Sequence, residues 1–391
     1  MKKIAFAMEN FSRHAGGAES YAVNLATTLI ENSWEVHLLG ESWDGEPKEA
    51  HFYKIHIPKF LPAWLKLLLF AFKHKAITSR QNYDVVVGFG NTIYMNVYQS
   101  HGGVHEFSTA RMVYAEKNII KRIVKRIFIL LSMKQWVRAW IESAPFRMNP
   151  RPKIVAIAPM IKKDMESFFH TNPDKIEVIY NGVDTKRHNI SLGQQIRGPL
   201  RGQWGVDEND VVFLLVAYDL KKKGIEPLVE AATKLKILGK DNFKIIVVGG
   251  SPYRSLMKRI KRHDLINHII FAGRVKSIDD FYANSDVFVL PTYSDACSLV
   301  VIEAMASGLP SITTMVNGAA GILTDGTNGY VIPHPPDPSA LADKMHLLMD
   351  HERRRQMSEE AFRTGQKYSA ERNHREMMRV FDEVANGKIH R

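Results

Sequence analysis

Two carboxylates eight positions apart could share one ligand in the segment PTYSDACSLVVIEAMASGLP, residues 291–310. The segment runs from a turn into an apolar helical pattern, and Gly308 followed by Pro310 is typical of a helix end. The pattern predicts that Asp295 lies just before the helix and Glu303 within it. An isolated pair of this kind has an ordinary interpretation, an N-cap aspartate and a solvated glutamate, so its chemistry depends on the accompanying loops.

The start of this helix could bind an anion, because the first turn of a helix has unpaired N–H groups at the positive end of its dipole. Cys297, Ser298 and Leu299 occupy that position. With phosphate oxygens there, Glu303 could accept hydrogen bonds from the vicinal hydroxyls of a ribose, and Asp295 could contact a second sugar. The spacing therefore suits two sugars joined by a diphosphate, as in a nucleotide-sugar.

A lysine run in VAYDLKKKGIEPLVEAA lies between a strand pattern and a helix pattern. Lys222 and Lys223 precede Gly224, which turns the chain into the helix. A charge run is usually a solvated face, but lysine also binds phosphate as a point charge. We interpret this junction as a diphosphate-binding loop.

A glycine pair in SRHAGGAES follows the first strand pattern and precedes a helix. Gly16 and Gly17 permit close approach of a ligand to the backbone, and the helix start offers free amides. A plain strand-to-helix turn is the alternative. No acidic residue stands where a dinucleotide fingerprint would place its ribose contact, which disfavours a nicotinamide cofactor.

These loops need a scaffold that brings strand ends together. Near-continuous apolar strands such as DVVVGFG and FKIIVVGG alternate with amphipathic helices, a pattern typical of parallel sheets covered on both faces. The alternation occurs in two series, which predicts an α/β protein of two doubly wound domains, 1–185 and 186–371. A C-terminal helix, about 372–391, is expected to pack back on the first domain.

Composition narrows the class of protein. The chain has 391 residues, 45% of them hydrophobic, which is ordinary for a soluble globular protein, and one cysteine, which suits a reducing cytoplasm. The net charge of +12 calls for an anionic partner, which could be a nucleotide, a membrane surface or nucleic acid. No apolar run is long enough for a spanning helix.

Two histidines flank a glycine pair in YQSHGGVHEF. Either His101 or His105 could face a substrate, and a structural role is the alternative for both. The pair lacks obvious further ligands for a metal site. Since lysines can neutralise a leaving diphosphate, we expect neither a metal nor a cofactor.

A basic amphipathic pattern runs through residues 115–146 and predicts one helix between Ile119 and Ile141, with Trp136 and Trp140 beside the apolar residues. The cationic positions of its first part are Lys121, Arg122, Lys125 and Arg126. A basic amphipathic helix that carries tryptophan is typical of membrane-surface binding, where each Lys or Arg near anionic lipid contributes about 1 kcal/mol. Ordinary packing on the domain core is the competing interpretation.

Taken together, the motifs resemble glycosyltransferase family 4, whose members are retaining enzymes of the GT-B fold. The resemblance rests on GGAES, NGVD at the domain join, KKKG and the acid-x7-acid motif with EAMASGLP, and it covers essentially the whole chain. Within the family, the lipopolysaccharide core glucosyltransferases look nearest. The fold that this implies is two Rossmann-like domains facing across a cleft.

The resemblance also implies roles for individual residues. Lys223 would contact the donor diphosphate, Glu303 the ribose and Asp295 the transferred hexose, with Gly16 and Gly17 beside the phosphates. Arg274 and Val275 in FAGRV would lie near the base, and His101, favoured over His105, would face the sugar. The residues expected to be catalytic are Asp295, His101 and Lys223.

Three positions depart from the family pattern. The first motif acid is usually Glu, whereas Asp295 is one methylene shorter. Tyr218 stands where many relatives carry Arg, and Lys222 could supply the missing charge. Gly321 stands where relatives often have Glu, which leaves one donor contact without its usual residue.

The expected function is retaining transfer of a hexose, glucose from UDP-glucose, onto a membrane-held glycolipid such as lipopolysaccharide core heptose. The enzyme would be cytoplasmic and bound peripherally to an anionic membrane, with no nucleic-acid partner. One alternative is another family 4 hexosyl- or mannosyltransferase of cell-envelope polysaccharide. The others are a non-catalytic nucleotide-sugar sensor and a basic nucleic-acid-binding protein.

Overall fold

The computed structural model describes residues 1–13, 16–116, 118–189, 197–207 and 209–387. Internal contacts divide the chain into two units, each built on a parallel sheet. Unit 1 comprises Met1–Asn181 with Glu371–Arg391, and unit 2 comprises Gly182–Ala370. The chain therefore passes from one unit to the other twice.

The sheet of unit 1 has seven parallel strands in the order β5-β3-β1-β6-β7-β8-β9. Most of their residues are apolar and buried, which suits strands covered on both faces. Two short strands, β2 and β4, pair separately. The bounds are β1 Lys3–Ala7, β2 Asn10–Phe11, β3 Glu35–Gly40, β4 Ser42–Trp43, β5 His51–Lys54, β6 Val85–Gly88, β7 Val97–Ser100, β8 Lys153–Ala156 and β9 Ile176–Val178.

Helices cover the sheet of unit 1, and the last of them comes from the far end of the chain. Met377, Val380 and Phe381 of that helix are buried in the same core as the first helix and the central strands. A 3₁₀ turn spans Pro173–Lys175. The helices are α1 Gly17–Glu31, α2 Ala63–Thr78, α3 His105–Tyr114, α4 Ile119–Leu131, α5 Met133–Glu142, α6 Ala144–Arg147, α7 Pro159–Phe169 and the returning α15 Ala370–Ala385.

The sheet of unit 2 has six parallel strands in the order β12-β11-β10-β13-β14-β15. The strands are β10 Val211–Ala217, β11 Phe243–Gly249, β12 Ile269–Gly273, β13 Val287–Leu290, β14 Ser311–Thr314 and β15 Gly329–Ile332. The helices are α8 Pro199–Gln203, α9 Ile225–Ile237, α10 Arg254–Arg262, α11 Asp279–Ala283, α12 Leu299–Ala306, α13 Pro338–Leu347 and α14 His351–Gln366, with a 3₁₀ turn over Gly318–Ile322.

Strand order in unit 2 reverses direction at one point. From β10 the chain builds outward through β11 and β12, and then returns to add β13 on the other side of β10. Ligands of open α/β sheets bind outside the carboxyl ends of the strands at such a switch point. The loops after β10 and β13 therefore flank the place where a ligand is expected.

Among the described residues, no helix combines the length and the apolar character needed to cross a bilayer.

Candidate active site

The loops after β10 and β13 are fixed to each other by backbone contacts. The carbonyl of Lys222 accepts hydrogen bonds from the amide of Tyr293 at 2.9 Å and from the hydroxyl of Thr292 at 3.2 Å. Gly224 has φ of +82°, and a Cβ there would lie 1.9 Å from the carbonyl oxygen of Pro291. Only glycine fits this position, so the lysine loop turns directly against the loop that carries Asp295.

Lys223 and Asp295, predicted to bind a donor, are in contact in unit 2. The Lys223 ammonium donates to Oδ2 of Asp295 and lies 3.4 Å from the hydroxyl oxygen of Ser298. The Ser298 hydroxyl also donates to Asp295. Three residues from the two switch-point loops thus form one polar cluster.

The electrostatics of this cluster favour a charged pair. Burial alone would raise the pKa of the Asp295 carboxyl, but the charge of Lys223 and the hydrogen bonds from Lys223 and Ser298 outweigh burial and lower the pKa. Burial raises the pKa of the neighbouring Cys297 thiol, and the charge of Asp295 adds to that shift. Cys297 therefore stays an uncharged thiol beside Asp295 and is not suited to act as a nucleophile.

A third loop, after β14, supports the aspartate from behind. The amide of Asp295 donates to the carbonyl of Val316 at 3.1 Å, and the amide of Gly318 donates to the carbonyl of Asp295 at 3.0 Å. The side-chain oxygen of Asn317 accepts from the amide of Ser298 at 3.2 Å. These bonds fix the backbone at the start of α12.

Glu303 lies in α12 and is oriented by a buried tyrosine. The Tyr282 hydroxyl donates to Oε2 of Glu303 over 2.8 Å. Burial raises the pKa of Tyr282, so its hydroxyl keeps the proton that it donates. At the start of α12, Ser298 is the N-cap residue and Leu299 the first helical residue. No side-chain hydrogen bond caps this helix start. The first amides of a helix have no carbonyl partner one turn earlier in the helix, although the Val301 amide here donates to the Ser298 carbonyl at 3.2 Å.

Arg274 and Val275 follow β12, and Arg274 is held against Tyr218 at the end of β10. The Arg274 guanidinium lies 5.0 Å from the centre of the Tyr218 ring and donates to its hydroxyl at 2.8 Å. Both side chains are exposed. Tyr218 therefore holds the Arg274 cation beside the end of β10.

In unit 1, Gly16 is the N-cap residue of α1 and Gly17 its first residue. A Cβ on Gly16 would lie 2.4 Å from a carboxylate oxygen of Glu19, which is the end of a flexible side chain. The role of the two glycines beside the phosphates stays a prediction.

The two candidate histidines have different surroundings. The His101 ring packs 4.6 Å from the ring of Tyr21 and 5.3 Å from that of Phe89, and its Nε2 is buried with no hydrogen-bond partner. The amide nitrogen of Asn181 lies 3.5 Å from its Nδ1. Burial lowers the pKa of His101 to about 3, so the ring is neutral. A ring with Nδ1 accepting carries its proton on Nε2, a donor without an acceptor.

His105, by contrast, is the first residue of α3 and is engaged by its helical neighbours. Its Nε2 lies 2.5 Å from the amide oxygen of Gln135 and 3.3 Å from the hydroxyl of Thr109. Its Nδ1 lies 3.4 Å from the Arg138 guanidinium. These contacts favour a structural role for His105.

The basic amphipathic segment forms two helices rather than one continuous helix. Ser132 has extended backbone, with φ of −80° and ψ of 108°, and it ends α4 and caps α5. Val137 and Ile141 of α5 pack against Leu67 and Ala71 of α2. None of the thirteen residues of α4 is buried.

The exposed side chains of α4 and α5 are unusually apolar. Ile120 is 69% exposed, Phe128 71%, Leu131 78% and Trp136 62%, and Trp140 is 40% exposed. An exposed apolar stripe of this length marks an interaction surface. Within unit 1, α4 therefore does not fit the ordinary core-packing interpretation.

The cations of α4 divide into two pairs. Lys125 forms an ion pair of 2.7 Å with Glu116, and the Arg122 guanidinium donates to the Glu116 carbonyl at 2.8 and 3.0 Å. Lys121 and Arg126 are exposed. Part of the basic face thus anchors the start of the helix, and the rest points to solvent.

Sequence reasoning did not predict that Tyr282 orients Glu303 or that Tyr218 contacts Arg274. Their contacts join residues 21 and 56 positions apart, so no local spacing indicates them. Asn181, which lies beside His101, could have been identified from the sequence as a candidate site residue, because it is the first residue of the NGVD motif.

Two family models match most of the chain. Residues 15–187 match the family model described as Glycosyltransferase Family 4, and residues 197–364 match the model described as Glycosyl transferases group 1. The two matches fall on consecutive parts of the chain and do not overlap.

Two relatives show the range of similarity. The uncharacterized glycosyltransferase MJ1607 of Methanocaldococcus jannaschii is 30% identical over 192 residues, which is 48% of this chain and 49% of that protein. The chain therefore aligns with only about half of this relative's length. The lipopolysaccharide glucosyltransferase WaaG of Escherichia coli is 23% identical over 321 residues, 82% of each chain.

Solved structures show the same architecture. WaaG, a glycosyltransferase involved in lipopolysaccharide biosynthesis, superposes with a TM-score of 0.80 at 21% identity, covering 97% of this chain and 99% of its own. Alr3699/HepE of Anabaena, solved with UDP and glucose, gives a TM-score of 0.72 at 16% identity, covering 98% and 100%. These likenesses show the GT-B fold. With both family models matched on that fold, the chain belongs to the glycosyltransferases that combine a family 4 domain with a group 1 domain.

Proposed function

We propose that this protein is a retaining glycosyltransferase that moves glucose from UDP-glucose to a membrane-held glycolipid such as lipopolysaccharide core heptose. The observation that carries the proposal is the contact of Lys223 with Asp295 and Ser298 at the switch point of unit 2. A cation, a carboxylate and an uncapped helix start are the groups needed for a sugar diphosphate. The solved complex of Alr3699/HepE with UDP and glucose supports this donor class.

Donor binding would replace the Lys223–Asp295 ion pair with two contacts to the donor. Lys223, assisted by Lys222 and the amides at the start of α12, would take the diphosphate. Asp295, released from the lysine, would accept hydrogen bonds from hydroxyls of the hexose. The pair is partly buried, so each group needs a polar partner in both states. With the donor bound, the diphosphate would neutralise Lys223, and the hexose hydroxyls would donate to Asp295.

The remaining donor contacts would come from α12 and the loop after β12 in unit 2, and from one residue of unit 1. Glu303, oriented by Tyr282, would accept from the ribose hydroxyls. Arg274 and Val275 would lie beside the base. His101 would offer its Nε2 proton to the transferred sugar, because that nitrogen has no acceptor within unit 1.

Chemistry would consist mainly of positioning and charge stabilisation. We assign no side chain as nucleophile: the acceptor hydroxyl would attack from the face that the diphosphate leaves, and the leaving phosphate would take its proton. Lys223 stabilises the charge that develops on that phosphate. The configuration at the anomeric carbon is then retained.

The acceptor side of the proposal rests on α4. Its exposed apolar stripe and the exposed Lys121 and Arg126 match the boundary of an anionic bilayer. Since a glycolipid projects its sugars from the membrane, an enzyme docked there meets its acceptor directly. The net charge of +12 favours the same surface.

The donor proposal is tested with Asp295→Asn. This change removes the charge that occupies Lys223, so UDP affinity should stay the same or rise, while hexose transfer should fall. Thermal shift with UDP-, GDP- and ADP-glucose gives donor preference, because a ligand of the folded state raises Tm. Loss of UDP binding in the variant would contradict the assignment of Asp295 to the sugar. UDP-glucose binding by the wild type without turnover on any glycolipid would indicate a sensor.

The membrane proposal is tested by co-sedimentation with vesicles that contain or lack anionic lipid. Gln in place of Lys121, Arg122, Lys125 and Arg126 should weaken binding, and binding should also fall with salt, because screening acts within about 8 Å at physiological ionic strength. The matched control replaces four exposed cations of α10, Arg254, Lys258, Lys261 and Arg262, at equal loss of charge. Equal binding by both variants, or stronger binding of the wild type to duplex DNA than to vesicles, would overturn it.

A further inference from the structure

Three side chains of metal-binding types meet at the edge of the unit 1 sheet. Glu35 and His37 are two positions apart on β3, so their side chains share one face. His51 on β5 is the register partner of His37. One ligand atom from each of the three lies within 4.8 Å of the others, and this is the only such group of His, Cys, Asp and Glu found in the described part of the chain.

The hydrogen bonds of His37 determine which nitrogen carries its proton. The Tyr83 hydroxyl donates its one hydrogen to the amide oxygen of Gln81 at 2.6 Å. Tyr83 can then only accept from Nδ1 of His37, 3.1 Å away. The proton of the neutral ring is therefore on Nδ1, and Nε2 presents a lone pair.

That lone pair faces a carboxylate. Nε2 of His37 lies 2.8 Å from Oε1 of Glu35, so two acceptors are opposed. His37 is only 5% exposed, which leaves the two opposed atoms little contact with bulk water. A metal cation between the nitrogen and the oxygen satisfies both atoms.

His51 is placed to supply a third ligand. It is exposed, and its ring centre lies 4.9 Å from that of His37. The ring of Tyr53 stacks on His37 with an interplanar angle of 10°, and Tyr83 and Gln81 fix its far nitrogen. A supported histidine of this kind is typical of metal ligands.

We propose that Glu35, His37 and His51 bind a transition-metal ion of the zinc class, with a fourth position open to water. Two imidazoles and one carboxylate suit Zn²⁺, Ni²⁺ or Cu²⁺, whereas Ca²⁺ and Mg²⁺ prefer all-oxygen ligands. The ion would tie the edge strand β5 to β3. The site lies within unit 1, whereas Lys223 and Asp295 belong to unit 2, so it does not depend on the proposed transferase mechanism.

One neighbour opposes the ion. The Lys3 ammonium lies 3.1 Å from the same oxygen of Glu35 that His37 faces. Its positive charge competes with a divalent cation for that carboxylate. Removal of the Lys3 charge should therefore tighten binding at this site. If the metal were bound by histidines elsewhere on the surface, the same change would not affect its affinity.

The experiment is a titration of the chelator-treated full chain with Zn²⁺, followed by calorimetry and by Tm. We expect one equivalent to bind and to raise Tm, because the ion binds the folded state. His51→Ala should lose at least tenfold in affinity. His56→Ala, at an exposed histidine five residues further along the chain, should bind like the wild type. Lys3→Gln should bind more tightly than either.

The chain has 16 histidines, so the variants decide the outcome rather than binding alone. Equal affinity of wild type and His51→Ala, with both proteins folded by circular dichroism, would overturn the site. Absence of stoichiometric binding would overturn it too. It would indicate that the Gln81 amide is reversed, so that Tyr83 donates to His37 and His37 to Glu35.

Discussion

Two short apolar helices, α12 in unit 2 and α4 in unit 1, have opposite surroundings. The sequence of α12 is LVVIEAMA, and five of its eight residues are buried. The sequence of α4 is IIKRIVKRIFILL, and none of its thirteen residues is buried. Apolar content alone does not distinguish them. The difference lies in the charges: α12 has a single acid and no base, whereas α4 has four bases within its first eight residues.

The comparison indicates two ways of using an apolar helix. The burial of α12 fixes its ends, so Ser298 and Glu303 hold defined positions for a ligand. The exposure of α4 leaves its apolar stripe available as a surface, with cations beside it. Burial of α12 therefore serves to position individual ligand-binding groups, whereas exposure of α4 provides a broad apolar surface.

The sharpest test of the comparison is one substitution made in both helices. Ile302 is fully buried in α12, and Ile302→Ala should lower the free energy of unfolding of unit 2 by about 2–5 kcal/mol, because a cavity forms. Ile120 is 69% exposed in α4, and Ile120→Ala should change stability by no more than about 0.5 kcal/mol. Urea unfolding measures both. Similar losses would mean that α4 is packed in solution.

A second test concerns the chemistry that the α12 region positions. Lys223→Ala should lower kcat by about 100- to 1000-fold, or about 2.7–4 kcal/mol, by analogy with the loss of one oxyanion donor. The control is Lys221→Ala, whose ammonium instead lies 4.6 Å from the centre of the Tyr253 ring. Steady-state rates at saturating donor decide the matter. Wild-type turnover in the Lys223 variant would remove the lysine from the diphosphate site.

The units should also differ in acid sensitivity. Burial lowers the pKa of His74 to about 4, of His101 to about 3 and of His374 to about 4, all in unit 1. These rings are neutral when folded and take up protons on unfolding below pH 6.5. The stability that they protect is fully present above about pH 6.5 and is lost as pH falls towards 4. The slope is about 1.4 kcal/mol per pH unit for each fully buried ring.

His74→Leu isolates one of these contributions, since both ring nitrogens of His74 are buried without partners. Urea unfolding at pH 7 and pH 5 should show a smaller acid loss in the variant than in the wild type. Parallel losses in the two proteins would mean that His74 does not remain neutral in the folded unit.

The smallest expected effect concerns orientation alone. Tyr282→Phe removes the hydroxyl that donates to Glu303 and should cost about 0.5–1.5 kcal/mol, seen as a rise of up to about tenfold in the donor KM with kcat little changed. Tyr330→Phe is the control, because its hydroxyl contacts Arg353. An unchanged KM would show that Glu303 needs no support from Tyr282.

Patterns along the chain were sufficient to predict the parallel sheets, the two-domain GT-B fold and the family. The acid spacing and the lysine loop also led to residues that meet in unit 2. Contacts across strands were out of reach, because Tyr218 with Arg274, and His37 with His51, depend on strand order rather than spacing. The predicted single helix from Ile119 to Ile141 was wrong, since periodicity continues across Ser132 although the backbone does not.

The return of α15 to unit 1 has a consequence for synthesis on the ribosome. Met377, Val380 and Phe381 fill the core between α1 and the sheet of unit 1, yet they are translated after all of unit 2. The first unit to begin emerging is therefore the last to be completed. Until α15 arrives, its core remains open to water, and during that interval a nascent chain would depend on chaperones or on the speed of elongation.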